Sequence, residues 1–233
     1  MLRKIIGNFL KNSLPGIFFS TKSYSQDGED LLIMSYYKYK NRKHKGFYVD
    51  IGAHHPYRFS NTAVFYKKGW RGINIEPTPK LIQLFYKFRK RDINLNIAVS
   101  DKQGSLNFYE FNEPSINSFD EKLSLDRSKY PQYKLISKKE IPVYTLSDIL
   151  NKHLPENQKI DFFSIDVEGH DLNILKSNDW YKYRPRFILI EGEIGNKNHQ
   201  SSEMHLYLNK LGYSIVGFTK RNYLYETPQD SAE

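Results

Sequence analysis

Cysteine is absent from this 233-residue chain. Its absence excludes disulfide bonds, thiolate zinc sites and cysteine nucleophiles together, and it agrees with a reducing compartment. Long apolar runs are missing as well, since no stretch approaches the roughly 20 residues that a membrane-spanning helix needs. Acidic residues are outnumbered, with 26 Asp and Glu against 35 Lys and Arg, and the net charge of +9 favours anionic partners.

The positive charge carries no signature of nucleic-acid binding. Its clusters, such as Lys38–Lys45 and Tyr86–Arg91, show neither zinc-finger spacing nor an RNA-binding aromatic motif, and no long basic arm is present. We therefore predict no nucleic-acid partner and interpret most of this charge as solvated helix faces.

The first dozen residues have the pattern of a short basic amphipathic helix. Apolar residues recur there at helical spacing beside Arg3, Lys4 and Lys11. The stretch lacks the apolar length and the small-residue cleavage site of a secretory signal. We treat residues 1–22 as a basic N-terminal segment. Docking against the protein's own surface and peripheral membrane contact through residues 1–12 are both open.

The rest of the chain alternates between strand and helix patterns, which predicts one α/β domain over residues 23–233 with a mostly parallel sheet. The predicted strands are Phe47–Ile51, Gly72–Glu76, Leu95–Ser100, a stretch within Lys159–Gly169, and Arg186–Glu193. The predicted helices are Asp27–Lys40, Ser60–Gly69, Thr78–Lys90, Tyr144–Leu154 and Ser202–Leu211. The stretches YSIVGF and NYLYE predict an antiparallel pair at the C-terminal end.

Two finer predictions concern single segments. The third helix has an apolar stripe of Leu81, Ile82, Phe85 and Phe88. Residues Asn112–Lys139 are polar and weakly patterned, so we expect a long loop, which in a compact domain is usually functional or mobile.

Polar residues end almost every predicted strand. In an open parallel sheet, ligands bind beyond the carboxyl ends of the strands, near the point where the strand order reverses. The strand-end residues are Asp50, Glu76, Ser100 with Asp101, Asp166 with Glu168, and Glu191 with Glu193. Such a rim of acids predicts a ligand with hydroxyl, amino or cationic groups, or a metal. Glu76, about one βαβ unit after a glycine turn, is suitably placed for the two hydroxyls of a ribose.

The turn after the first strand, DIGAHHP, contains one glycine followed by two imidazoles. A pyrophosphate needs the three glycines of G-x-G-x-x-G for close backbone approach, so the turn argues against a dinucleotide and a nicotinamide oxidoreductase. A nucleoside that carries a carboxylate and an amine in place of phosphates fits better, and S-adenosylmethionine is such a molecule.

The chain resembles the FkbM family of S-adenosylmethionine-dependent methyltransferases over residues 25 to about 225. The stretches that carry the resemblance are SQDGEDLLI (Ser25–Ile33), FYVDIGAHHPYRFSNT (Phe47–Thr62), GWRGINIEPTP (Gly69–Pro79), NIAVSDKQG (Asn96–Gly104), IPVYTLSDIL (Ile141–Leu150) and DFFSIDVEGHDLNIL (Asp161–Leu175). The resemblance implies a Rossmann-like methyltransferase domain, with a seven-stranded sheet and helices on both faces.

The resemblance also implies roles for single residues in binding the cofactor. Asp50 and Gly52, with Ala53 in the same turn, would line its methionine part. Glu76 would bind the ribose hydroxyls, and Ser100 and Asp101 would lie near the adenine.

Catalytic roles are implied for Asp166, which would also contact the cofactor at its reacting end, and for Glu168 beside it. The alternative for these two is to cap and flank the next helix. His54 and His55 stand where the family commonly has an Asn-Asp or Asn-Asn pair, so the contacts of that turn stay open. We take His55 as a third catalytic candidate.

We predict O-methylation of a hydroxyl, on a sugar of a bacterial surface glycan or related glycoconjugate, in the cytoplasm or at the inner face of the membrane. The alternatives are a lipid, polyketide or nitrogen acceptor, and a silent cofactor- or glycan-binding module of the same fold. A divalent cation held by Asp166, Glu191 and a histidine is a further alternative that we do not predict.

Overall fold

The computed structural model describes residues 20–38, 44–167, 169–192 and 202–228. The helices are α1 (Glu29–Lys38), α2 (Ala63–Lys67), α3 (Pro79–Phe88), α4 (Glu121–Arg127), α5 (Leu146–His153), α6 (Asp171–Lys176) and α7 (Glu203–Lys210). The strands are β1 (Phe47–Ile51), β2 (Arg71–Ile75), β3 (Ile93–Leu95), β4 (Ala98–Val99), β5 (Gly104–Phe111), β6 (Leu135–Tyr144), β7 (Phe162–Ile165), β8 (Phe187–Glu191), β9 (Ser214–Phe218) and β10 (Asn222–Glu226). Residues 1–12, Glu168 and Glu193, for which we made predictions, lie outside these ranges.

Seven strands form the main sheet in the order β3-β2-β1-β7-β8-β10-β9. The first five pair in parallel, whereas β10 runs antiparallel to both β8 and β9. The order reverses between β1 and β7, so the carboxyl ends of these two strands are where a ligand is expected. The predicted parallel sheet with an antiparallel C-terminal pair is confirmed.

Helices cover both faces of the main sheet, because the buried strands are apolar on both sides. On one face Tyr48 and Phe162 pack with Ile33 of α1 and Phe65 of α2. On the other face the same strands pack against α5, α6 and α7. The residues of this second cluster include Val49, Ile51, Phe163, Ile165, Leu150, Ile174 and Leu208.

The predicted third strand, Leu95–Ser100, is wrong as a single element. Its start belongs to β3, whereas Ala98–Val99 leaves the main sheet and pairs with β6 in a three-stranded sheet of order β4-β6-β5. Asn96 lies at the break, where its side-chain Nδ2 donates to the carbonyl oxygens of Glu76 (2.9 Å) and Pro77 (2.8 Å). These bonds tie the bend of the chain to the end of β2.

The prediction of a loop over Asn112–Lys139 is also wrong. The segment contains a 3₁₀ turn at Pro114–Ile116, helix α4, and the first half of β6. Asp120 caps α4 by accepting a bond from the backbone N–H of Leu123 at 2.8 Å. β6 pairs antiparallel with β5 although most of its side chains are exposed. A strand without a buried face shows no apolar alternation, and its sequence therefore resembles a loop.

Helix α5 begins as its capping pattern predicts, since the backbone N–H of Asp148 donates to Thr145 Oγ1 at 3.1 Å. Helix α3 departs from its predicted stripe. Ile82 and Phe85 are buried, but Phe88 is 41% exposed. Among the described residues no helix is long and apolar enough to cross a membrane.

Candidate active site

A cavity of about 260 Å³ lies at the carboxyl edge of the main sheet. Its lining includes the predicted strand-end acids Asp50, Glu76, Asp166 and Glu191, together with Gly52 and Ala53. The tertiary structure thus brings together residues that are up to 141 positions apart, from Asp50 to Glu191. They meet because the carboxyl ends of neighbouring parallel strands share one edge of a sheet.

The turn after β1 is held between β2 and β7. The backbone N–H groups of Gly52 and Ala53 both donate to the carbonyl oxygen of Ile75 at 3.0 Å. Gly52 has φ +77°, and a Cβ placed there would lie 1.9 Å from the carbonyl oxygen of Asp166. The close approach of the β7 backbone therefore requires glycine at this position.

Asp50 lines the cavity, and its carboxylate is held by hydrogen bonds within a buried polar network. Thr62 Oγ1 donates to Asp50 Oδ2 at 2.6 Å, and Arg89 Nη2 donates to Thr62 Oγ1. Arg89 is fully buried, with its Nε 3.3 Å from Asp92 Oδ2. Burial raises the pKa of Asp50, against the opposing effects of the Thr62 hydroxyl and the Arg89 charge.

Glu76 ties the first turn to the start of α3. Its Oε2 accepts from the backbone N–H of His54 at 2.9 Å, and its Oε1 accepts from the backbone N–H of Thr78 at 2.7 Å. Burial raises the pKa of Glu76 to about 7, although these two bonds lower it. The Glu76 carboxyl thus lies in the cavity wall, and with a pKa of about 7 it is partly protonated at neutral pH.

The two histidines of the first turn have different environments. His54 adopts φ 52°, lines the cavity and stacks on Phe59, with ring centroids 6.5 Å apart. Burial lowers the pKa of His54 to about 4, so its imidazole is neutral at pH 7. Its Nε2 is buried and has no hydrogen-bond partner among the described residues. His55 is not a lining residue: its Nδ1 accepts from the backbone N–H groups of Tyr57 (3.0 Å) and Arg58 (2.9 Å).

At the end of β7, Asp166 lines the cavity with an exposed side chain, and its backbone N–H donates to the carbonyl oxygen of Ile51 at 3.1 Å. The carboxylate of Asp171 accepts from the backbone N–H groups of Val167 (3.4 Å) and Gly169 (3.3 Å). This local turn holds the start of α6 and fixes the direction in which β7 leaves the sheet.

Ser100 and Asp101 do not reach the cavity lining. The backbone N–H of Ser100 donates to the carbonyl oxygen of Tyr144 at 2.9 Å, and the Ser100 hydroxyl donates to Asp101 Oδ1 at 3.1 Å. The preceding residues, Ile97–Val99, line the cavity instead, together with Phe108 of β5. These side chains form its apolar wall.

Sequence reasoning missed the apolar wall and two further groups of lining residues. The first is the segment Pro114–Phe119, where Asn117 Nδ2 donates to Thr78 Oγ1 at 3.3 Å. The weak sequence pattern of this segment was compatible with a functional loop, but it did not indicate which residues would line the site. The second group comes from the two ends of the domain and consists of Gln26, Glu29, Arg221 and Asn222. Gln26 and Glu29 lie in SQDGEDLLI, a stretch that carried the family resemblance without a role.

Within the described ranges, no group of three or more His, Cys, Asp or Glu side chains is arranged to hold a metal ion. The alternative cation site at Asp166, Glu191 and a histidine is therefore not assembled among these residues.

The strand order, the single antiparallel strand inserted next to the edge of the sheet, and the cavity at the reversal point define a Rossmann-like methyltransferase domain. More specifically, the chain belongs to the family described as the methyltransferase FkbM domain, whose model matches residues 50–215. The predicted family is thereby confirmed.

Two other comparisons add little to this assignment. A solved structure from Staphylococcus aureus, provisionally described as a caffeoyl-CoA O-methyltransferase, is similar over 97% of this chain and 91% of its own, with 9% identity and a TM-score of 0.44. A comparison with curated proteins found no match.

Proposed function

We propose that this protein transfers a methyl group from S-adenosylmethionine to a hydroxyl on a sugar of a bacterial surface glycan or related glycoconjugate, in the cytoplasm. The observation that carries the proposal is the position of Glu76. Its buried carboxylate lines the cavity beside the Gly52 turn, at the reversal point of a methyltransferase domain.

The lining residues fit the chemistry of the cofactor. The Glu76 carboxylate can accept bonds from two ribose hydroxyls, and the wall of Ile97–Val99 with Phe108 suits the apolar faces of a purine. The turn at Gly52 and Ala53 borders the space beside Asp50 and Asp166. The carboxylates of these two residues suit the cationic amino group in the methionine part of the cofactor. When bound, the cofactor supplies an electrophilic methyl group on a sulfonium.

Asp166 is our candidate for orienting the acceptor and receiving its proton, because it is an exposed carboxylate in the cavity wall. His54 suits a different task. A pKa of about 4 makes its imidazole a weak base, so we assign it hydrogen bonding rather than proton abstraction. His55 and Glu168 stay catalytic candidates from the sequence, and Ser100 and Asp101 stay candidates near the adenine.

A sugar acceptor is supported by the polar lining near Asp166. Asn61, Ser164 and Asn222 line the same cavity with amide and hydroxyl groups, and Asn61 Nδ2 donates to Ser164 Oγ at 3.1 Å. Such groups match a polyhydroxylated ligand. The acids Glu29 and Glu191 on the same lining favour a nitrogen acceptor as the second candidate, because carboxylates stabilise a cationic amine.

Thermal unfolding with and without S-adenosylhomocysteine, the demethylated product, tests the cofactor assignment. At about 100 times its dissociation constant this ligand should add about 2.7 kcal/mol to the free energy of unfolding. The midpoint should then rise by roughly 5–10 °C. The shift should disappear in Glu76→Ala and persist in Glu156→Ala, which removes an exposed acid. A folded wild-type protein that shows no shift would refute the proposal.

Methyl transfer from labelled S-adenosylmethionine to a panel of sugars, glycolipids and amines tests the acceptor. We expect incorporation into a hydroxyl-bearing sugar, and Asp166→Asn should lower turnover by a larger factor than it lowers the affinity for S-adenosylhomocysteine. Incorporation into amines alone would favour the second candidate. Cofactor binding without transfer to any class would identify a silent binding module.

A further inference from the structure

One segment of the chain, residues 51–91, combines exposed cations with aromatic rings. Its only acid is Glu76, which is buried, and from outside the segment Glu113 pairs with Arg58 at 3.4 Å. The same stretch contains Arg58, Lys67, Lys68, Arg71, Lys80, Lys87, Arg89, Lys90 and Arg91. All of these except Arg89 are exposed. Because the segment has nine cations and one acid, it also accounts for much of the excess positive charge of the chain.

Ring and cation contacts join part of this stretch into one continuous surface. Tyr57 lies 6.1 Å from Tyr24 and 5.9 Å from Phe88, measured between ring centroids. The Nζ of Lys67 lies 5.3 Å from the Tyr24 centroid and 5.6 Å from that of Tyr57. The Nζ of Lys22 lies 4.9 Å from Tyr24 on the same surface. We call the set Lys22, Tyr24, Tyr57, Lys67, Lys87 and Phe88 the basic-aromatic surface.

Phe88 is the residue of this surface that helix packing does not explain. Its position in the α3 stripe predicts burial, yet it is 41% exposed. The Nζ of Lys87 lies 5.2 Å from the Phe88 centroid. Exposed rings beside Lys and Arg are typical of residues at a membrane interface, where the ring enters the headgroup region and the cation meets anionic lipid.

The basic-aromatic surface lies next to the cavity. Arg58 and Phe59 follow Tyr57 directly, and Phe59 is both 40% exposed and a lining residue. Lys22 ends the N-terminal segment, whose first dozen residues have a basic amphipathic pattern. The residues between them, 13–21, are uncharged and include apolar side chains.

We propose that the basic-aromatic surface binds an anionic lipid bilayer. A single-stranded nucleic acid would need open ring faces on which its bases could stack. Here Lys22 and Lys67 lie over the Tyr24 ring, and Lys67 also lies over Tyr57, so these faces are covered. Lipid headgroups need only the cations and the outer edges of the rings. Binding at this surface does not depend on the cofactor or on the acceptor.

Sedimentation of the full chain with vesicles tests the proposal. We expect binding to phosphatidylcholine vesicles that contain phosphatidylglycerol, weak binding to phosphatidylcholine alone, and no tight binding to single-stranded RNA. Each cation near an anionic surface contributes about 1 kcal/mol, so Lys67→Glu with Lys87→Glu should weaken binding by roughly 30-fold or more. Phe88→Ser should weaken it further in high salt, where electrostatic attraction is screened.

Lys152→Glu with Lys210→Glu is the matched control. It changes the net charge equally at exposed positions of α5 and α7, which pack on the opposite face of the main sheet from α2. This variant should bind vesicles almost as tightly as the wild type. Equal losses in both double variants would show a general charge effect and overturn the proposal. So would undiminished binding of the first variant, absence of vesicle binding, or a preference for RNA. Circular dichroism of each variant verifies its fold.

Discussion

At the scale of single residues, two opposing effects act on the ionisation of the Glu76 carboxyl. Its carboxylate accepts backbone bonds from His54 and Thr78, which favours the ionised form, but it is buried, which favours the neutral form. Burial prevails and raises the pKa from 4.5 to about 7. Between these pH values the folded protein retains a proton that the unfolded chain has released. Glu76 therefore lowers stability as the pH rises through that window.

The first prediction concerns the pH dependence of S-adenosylhomocysteine binding. Ribose hydroxyls donate to the ionised carboxylate, so binding should lower the pKa of Glu76 and release a proton. With a pKa of about 7 in the free protein, affinity should rise roughly tenfold from pH 6 to pH 8. Calorimetric titration at several pH values measures this change.

Glu76→Gln serves as the comparison for that titration, because the amide keeps the size of the side chain and cannot ionise. Its affinity should be lower and nearly constant over the same pH range. A wild-type affinity that does not change with pH would show that Glu76 does not meet the hydroxyls as a titrating carboxylate.

At the scale of elements, the turn after β1 depends on one glycine. Gly52 combines a left-handed φ of +77° with a site where any Cβ would overlap the carbonyl oxygen of Asp166. A larger residue must displace either the turn or the end of β7. Because both border the cavity, the second prediction concerns stability and ligand binding together.

Gly52→Ala should lower the free energy of unfolding by about 2–4 kcal/mol through backbone strain and overpacking. It should also abolish the thermal shift with S-adenosylhomocysteine. Urea unfolding measures the first effect. Gly104→Ala is the control, because nothing lies within 4 Å of a Cβ built there, and it should change stability little. A Gly52→Ala protein as stable as the control would contradict the packing of this turn.

At the scale of the whole molecule, the cavity is completed by residues from both ends of the domain. Glu29 Oε1 accepts from Thr219 Oγ1 at 2.7 Å and from Asn222 Nδ2 at 3.1 Å. Burial opposes the ionised form of Glu29, but the hydrogen bonds outweigh it, so the pKa lies below its usual value. All three residues lie outside the part matched by the family model, at 50–215.

The third prediction is that Glu29→Ala lowers the free energy of unfolding by about 2–3 kcal/mol at pH 7. The substitution removes hydrogen bonds to a buried carboxylate and leaves their donors unpaired. Because the pKa of Glu29 is lower in the folded protein than the 4.5 of the unfolded chain, Glu29 stabilises the fold above pH 4.5. This stabilisation is lost as the pH falls through the folded pKa. The difference from the wild type should therefore shrink below about pH 4.5. Denaturant unfolding at pH 7 and pH 4 measures it.

Glu203→Ala is the control for this variant, since it removes an exposed partner of Lys176 and should cost less than about 1 kcal/mol. If Glu29→Ala costs no more than Glu203→Ala at pH 7, the link between the two ends of the domain does not stabilise the fold.

Local pattern was enough to predict the class of fold and most of the acid rim. Buried strands have apolar runs in the sequence and helices alternate with them. Asp50 is the penultimate residue of β1, and Glu76 and Asp166 directly follow β2 and β7. Because parallel strands share one carboxyl edge, these acids could be placed together without any contact being known. Ser100 and Asp101 lie outside the cavity lining, because Asn96 bonds to the end of β2 and the chain leaves the main sheet there.

The remaining features depend on contacts between distant residues, which have no local periodicity. His54 rather than His55 reaches the cavity because a left-handed φ at residue 54 and backbone bonds to His55 Nδ1 turn the two rings apart. β6 forms because β5 offers a partner strand, although its own side chains bury little. The closing of the cavity by Glu29 and Asn222, 193 positions apart, follows from the packing of α1 and the β9–β10 pair. The amino-acid sequence alone determined the order of the buried strands and helices, because their apolar patterns are local, but only the tertiary structure determined where the chain leaves the main sheet and which of these distant side chains meet.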